Sequence, residues 1–353
     1  TAAQAFTDAL ITPEQKIGYL CEAAFAIART WLNTIDDSDA SLIIAQNNIP
    51  SVVIAALDAH FGRVSVSGVV VDGLIKGATI FADANGNGVW DEGEAKGTSD
   101  DFGHFTLTRA KGTLIASGGQ DISTGSTPSG SYTAPAGSTV ISPLTTLVQA
   151  IATGNNISAA QAEAMVKTKL GIAASVSLSH FDPVAEAGKP GASADALAIA
   201  IKVFSVAAQV NTIMGQVGAV LSGVGVSTDT KIGSENAITS LAKMISEANS
   251  TVDLGASGNA EQLVLNAAIS GGATTNQITT INTLLVNSGQ AIASLNQAIQ
   301  LASVDSTSSN GKTNLIEIAK IQYVAETVKA AMELGAASQN LSQVSSLVAA
   351  TSF

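Results

Sequence analysis

Apolar residues change their spacing twice along this chain. Ile17, Leu20, Cys21, Ala24, Phe25, Ala28 and Leu32 recur at intervals that line one face of an α-helix. Thr12, Pro13 and Gln15 supply its start: a capping hydroxyl, a proline in the first turn, and an amide three residues after the cap. Asn47-Asn48-Ile49-Pro50 breaks the pattern, and a short second helix is expected over Ser51–His60. From Arg63 the spacing tightens. Val64, Val66, Gly68 and Val70 alternate with Ser65, Ser67 and Val69, which is the period of a half-buried strand. Ala78–Phe81, His104–Thr108 and Leu114–Ser117 read as further strands. Turn pairs such as Asp72-Gly73, Lys76-Gly77 and Gly118-Gly119 separate them at short intervals, as in a sandwich.

From Leu144 onward helical spacing returns. Ser158 with Gln161 forms a capping box, and Gly171 closes the helix that follows. Further helices are expected over Ala194–Leu221, Ser234–Ala248, Ala260–Ile269, Asn276–Leu301, Asn314–Leu334 and Ser338–Ala349. The pattern thus predicts a multidomain α+β chain: N-terminal helices over 1–62, a small β-sandwich over 63–143, and a C-terminal helical domain over 144–353.

Composition narrows the class. Hydrophobic residues make up 46% of the 353, enough for a sizeable core, whereas charged residues make up only 12% and aromatics 4%. Charged residues in an average soluble domain run near ~25%. Such a neutral, polar surface suits secreted proteins and proteins that pack against copies of themselves. The formal charge of −12 repels a phosphate backbone and argues against a nucleic-acid partner. The single cysteine, Cys21, excludes an intramolecular disulfide and reads as a small buried hydrophobe. The longest uncharged apolar stretch, Val203–Thr228, carries Gln209, Asn211 and Gln216, so a buried bundle helix is expected there rather than a membrane span.

Acidic residues cluster between Asp83 and Asp101, where Asp83, Asp91, Glu92, Glu94, Asp100 and Asp101 face the lone base Lys96. Crowded carboxylates repel one another unless a cation or water offsets the repulsion. Within this stretch, Asp83-Ala84-Asn85-Gly86-Asn87-Gly88-Val89-Trp90-Asp91-Glu92-Gly93-Glu94 fits the calcium-loop pattern D-x-[DN]-x-[DN]-G-x5-E at every fixed position. Calcium takes six to eight oxygens. Asp83, Asn85 and Asn87 offer side-chain oxygens at alternate positions, and Gly88 allows the sharp turn. Val89 offers its carbonyl, Asp91 binds directly or through water, and Glu94 closes the sphere. Asp100, in a neighbouring turn, is a further candidate ligand. The flanks read as strands, so the loop is expected on a β-domain in a structural role rather than in a helix–loop–helix sensor.

The run Gly77–Phe81, the Asp83–Glu94 loop and Thr98–Phe105 resemble the B-like repeats of large bacterial surface adhesins and carboxypeptidase-regulatory-like (prealbumin-like) sandwiches. Ala116–Asp121, Thr133–Leu147 and His180-Phe181-Asp182-Pro183 are similar to segments of very large secreted bacterial proteins of the RTX type. The RTX glycine-rich nonapeptide repeats are absent from this chain. The resemblance implies an extracellular, calcium-stabilised, non-catalytic module.

Enzyme motifs are missing. There is no His-Glu-x-x-His and no Gly-x-Ser-x-Gly, and His60, His104 and His180 are scattered. Asn310-Gly311-Lys312-Thr313 resembles the end of a phosphate loop, but Ser306 stands where the earlier glycine is required, so a helix start is expected. The expected function is a non-enzymatic subunit of a bacterial surface layer, fibre or matrix. It would be extracellular and held in shape by Ca2+, and it would associate with identical subunits or other cell-surface components. The alternative is an adhesin or ligand-binding module of a larger secreted protein.

Overall fold

The computed structural model describes residues 64–304 and 311–350, with isolated positions 26, 30 and 62. Apart from those positions, the helices expected over 1–62, with Cys21 and His60, lie outside the described residues, as does the joint at 305–310. The fold is mixed α+β and about 56% helical.

The strands are β1 (Val64–Val70), β2 (Ile75–Lys76), β3 (Thr79–Asp83), β4 (Lys96–Thr98), β5 (His104–Ala110), β6 (Thr113–Ser117), β7 (Gln120–Asp121), β8 (Tyr132–Ala134) and β9 (Val140–Ile141). They form sheets of order β5-β1-β9 and β4-β3-β6-β8 with a separate β2-β7 ladder. All pairings are antiparallel except β1 with β9. Strand β5 shows the alternation most cleanly: Phe105, Leu107 and Ala110 are buried while His104, Thr106 and Thr108 face water.

The helices are α1 (Pro143–Asn155), α2 (Ala159–Leu170), α3 (Pro183–Gly188), α4 (Ala194–Gly223), α5 (Thr230–Glu247), α6 (Ser257–Ser270), α7 (Thr275–Val304), α8 (Gly311–Ala337) and α9 (Ser342–Ala350). The Ser158–Gln161 capping box and the left-handed Gly171 bound α2 as the sequence indicates. Helix α8 begins at Gly311, in keeping with a helix start there.

Helix α4 is the hub, packing against α1, α3, α5, α6, α7 and α8. Its length and composition would suffice to cross a membrane, and 72% of its most apolar window is buried inside the fold. Burial all round explains why its sequence lacks a polar stripe. Where α5 crosses α4, Gly218 lies so close to the partner helix that an added Cβ would sit 2.8 Å from the Thr230 carbonyl oxygen.

The composition changes near Pro143, but the packing does not. One buried cluster runs from Val66 in β1 through Leu114, Tyr132 and Ile141 to Leu147, Ile213 and Val344 in α9. The junction is also hydrogen-bonded. Ser142 caps α1 and shares a capping box with Thr145. The Thr145 hydroxyl accepts the Ser142 N–H (2.8 Å) and donates to the Thr133 carbonyl on β8 (2.8 Å). Thr146 Oγ1 accepts the Thr133 N–H at 2.9 Å. Both threonines are buried. Replacing Thr145 by valine keeps its volume but orphans these groups, so stability is expected to fall by about 1–3 kcal/mol in urea denaturation.

Candidate metal centre

Strand β3 delivers Asp83 to the loop with its side chain buried, and the chain returns as β4, where Lys96 pairs with Phe81. The Ala82 N–H donates to the Ala95 carbonyl at 3.0 Å and ties the two ends together. The 83–94 stretch is therefore an excursion between two paired strands: the strand before it is the expected one, whereas the strand that returns is β4 and not the expected Phe105–Leu107, which pairs with β1.

The loop folds around its own side chains. Asp83 Oδ1 accepts the N–H groups of Gly86 (2.7 Å) and Asn87 (3.2 Å), and Oδ2 accepts that of Gly88 (2.8 Å). The carboxylate gathers these N–H groups because Gly86 and Gly88 turn the backbone through positive φ, 77° and 78°. Asn85 Oδ1 accepts the Asn87 N–H, and Asn87 Oδ1 accepts the Val89 N–H. Both amide nitrogens donate to Asp91 Oδ2 at 2.7 Å, so Asn85, Asn87 and Asp91 converge on one point. Glu94 closes the ring: Oε1 accepts the Ala84 N–H (2.8 Å) and Oε2 that of Asp91 (3.1 Å). Outside it, Trp90 donates its indole N–H to the Glu94 carbonyl, and the Lys96 ammonium lies 4.4 Å from the Trp90 ring centroid.

The structure thus joins Asp83, Asn85, Asn87, Val89, Asp91 and Glu94 in one hydrogen-bonded loop. Asp100 is engaged elsewhere. Its Oδ1 accepts from Phe102 (2.8 Å) and His104 (2.9 Å), and its Oδ2 lies 3.6 Å from His104 Nδ1. Those backbone N–H groups hold its carboxyl below the usual carboxylate range. Among the described residues no group of three or more His, Cys, Asp or Glu is placed to hold a metal. The donors of the 83–94 loop include amide and carbonyl oxygens, which suit a hard cation such as calcium and not zinc.

His180 and Asp182 have structural duties. His180 Nδ1 lies 3.2 Å from Thr139 Oγ1, and Asp182 caps α3 by accepting from Val184 and Ala185. A second polar cluster was not evident from the sequence. Asp72, read only as half of a turn pair, is buried where β1 ends, with Tyr132, Asn211 and Gln322 around its carboxyl. These residues are far apart in the chain. The one local hint is a tyrosine in a chain that has only three.

Comparison with protein-family models, curated proteins and solved structures found no match to this chain. The likeness to adhesin repeats therefore rests on the motifs themselves.

Proposed function

We propose that this chain is a non-enzymatic, calcium-stabilised module of the bacterial cell exterior that assembles with identical subunits into a surface layer, fibre or matrix. The observation that carries this reading is the 83–94 loop. Its sequence fits a calcium loop, and Asn85, Asn87 and Asp91 lie side by side within a turn held by Asp83 and Glu94, the two amides now donating to Asp91 where the ion would take their oxygens. In this reading Asp83, Asn85, Asn87, Asp91 and Glu94 hold Ca2+ with the Val89 carbonyl, while Asp100 serves its own turn. The bound ion would offset the carboxylate repulsion and fix the β3–β4 hairpin of a sandwich-like module. Rigid flanking strands favour a structural role over sensing, because a hairpin has no helix pair to open.

Assembly is supported by a weakly charged surface and by exposed apolar side chains on α7 and α8, where Leu301, Val304 and Leu334 are each more than two-thirds exposed. The absence of enzyme motifs and the acidic charge favour protein partners over substrates or nucleic acid. The test is calcium calorimetry on the native chain and on the Asp83→Ala/Glu94→Ala double variant, with electron microscopy in calcium and in chelator. Native protein is expected to take up calcium and form ordered assemblies, and the double variant to do neither. Equal uptake by both proteins sinks the site, and dispersed monomers at millimolar calcium sink the assembly.

A further inference from the structure

The strand-rich end and the helical bundle meet at a buried acid. Asp72 follows β1, only 5% of its surface is exposed, and its carboxyl touches both halves of the fold. Oδ1 accepts from the Gln322 side-chain amide of α8 at 2.9 Å. Oδ2 lies 2.6 Å from the hydroxyl of Tyr132, the first residue of β8. That hydroxyl also lies 2.9 Å from Asn211 Oδ1 on α4. A phenol has one proton to donate. With Asp72 ionised, two acceptor oxygens would compete for it. With Asp72 protonated, the phenol and both carboxyl oxygens are matched: Asp72 donates to Tyr132, Tyr132 donates to Asn211, and Asp72 Oδ1 accepts from Gln322.

We propose that Asp72 is a protonated carboxylic acid that latches α4 and α8 onto the strand-rich end, and that its ionisation as pH rises loosens this joint.

The surroundings disfavour a charge at this point. Asp121 faces it from β7, and Glu326 from α8 is paired with Lys329, whose ammonium also reaches Ser129. Asp121 is buried, and its two oxygens accept from Ser123 and Thr124. Burial is the main force raising the Asp72 carboxyl above its usual range. The Asp121 charge adds to it, and the bonds from Tyr132 and Gln322 oppose it. Burial and the nearby Asp72 also push the Tyr132 phenol upward, so it stays a neutral donor. Gln322 Oε1 has no hydrogen-bond partner, and its amide is held at the joint through Nε2 alone.

The direction follows from linkage. Below the ordinary carboxylate pKa both folded and unfolded chains hold the proton, and the latch contributes fully. Between that value and the raised folded value only the folded chain holds it, so stability falls as pH rises. Above the folded value the loss is complete. Within the window each pH unit is expected to lower the ratio of folded to unfolded protein by about tenfold relative to a variant without the acid.

The experiment is urea denaturation of the full chain across pH, at fixed calcium and ionic strength, for the native protein, Asp72→Asn and Gln322→Leu. Asparagine has nearly the same shape and can donate to Tyr132 while accepting from Gln322. The stability of the native protein relative to Asp72→Asn is expected to decline as pH rises above the carboxylate range and then level off. A difference that stays flat with pH overturns the proposal, since it means Asp72 is ionised and the Asn211 amide is turned to donate to Tyr132. Gln322→Leu keeps the test open if Asp72→Asn fails to fold. Removing a donor that favours the charged form is expected to move the native decline to higher pH, and an unmoved profile overturns the proposal.

Discussion

Gly218→Val is expected to be among the most damaging single substitutions in the helical bundle. A Cβ at this position would lie 2.7 Å from Ser234 Oγ, 2.8 Å from the Thr230 carbonyl oxygen and 2.9 Å from the Ser234 backbone nitrogen. The last two are backbone atoms of α5 and cannot rotate aside. The facing Gly233 is as tightly placed, since a Cβ there would lie 2.6 Å from the Gly218 carbonyl oxygen. The helices meet backbone to backbone, so valine must push them apart and open voids along the buried seam that includes Val217, Val220 and Leu241. Overpacking a tight core costs about 1–3 kcal/mol and at times more. The contact here involves two rigid elements, so about 3 kcal/mol or more is expected, or a fall in Tm of roughly 6–12 °C. Thermal unfolding followed by circular dichroism measures it. Gly258→Ala on α6, where an added Cβ meets nothing within 4 Å, is the control and is expected to leave Tm unchanged or slightly raised.

The second large effect is expected at Asp83, and it has two parts that separate experimentally. Without calcium, Asp83→Ala removes the acceptor for the N–H groups of Gly86, Asn87 and Gly88. Asp83 itself is buried at the end of β3, so water replaces it poorly there, and a loss of about 1–3 kcal/mol is expected. With calcium present, the native protein gains binding free energy that the variant forgoes, about 2.7 kcal/mol at one hundred times the dissociation constant. The gap between native and variant in thermal unfolding should therefore widen when calcium replaces chelator. Asp83→Asn refines the comparison, because an amide oxygen can still accept some of the loop N–H groups but carries no charge. It is expected to recover part of the chelator-state stability and little of the calcium-dependent gain. A gap independent of calcium would show Asp83 to be only a turn-former.

Much of the local structure was legible because it is written in neighbouring residues. The alternation of Phe105 and Leu107, the Ser158–Gln161 box and Gly171 each specify geometry within a few positions. Helix ends came within a few residues, as at Ala194–Gly223 against the expected Ala194–Leu221. The short strands were harder to see. Lys96-Gly97-Thr98 has no apolar alternation and becomes β4 only because β3 lies beside it. Tyr132–Ala134 is likewise held from outside, by β6 and by the hydroxyls of α1. The 83–94 turn was legible as a turn because the residues that hydrogen-bond within it are neighbours in sequence. The place of Asp100 was not, since only the fold shows its carboxylate bonded to Phe102 and His104. The Asp72 cluster was invisible for the same reason: Asp72 and Gln322 are 250 positions apart, and nothing local marks either as a partner.

The shared interior of strands and helices bears on how the chain can be divided. A fragment stopped at Ser142 would leave Tyr132 and Ile141 without the residues of α1 and α4 that seal them. Fragments meant to carry the loop alone should therefore be designed with α1 and α4 attached, and cut points are better sought at exposed turns than where the composition shifts.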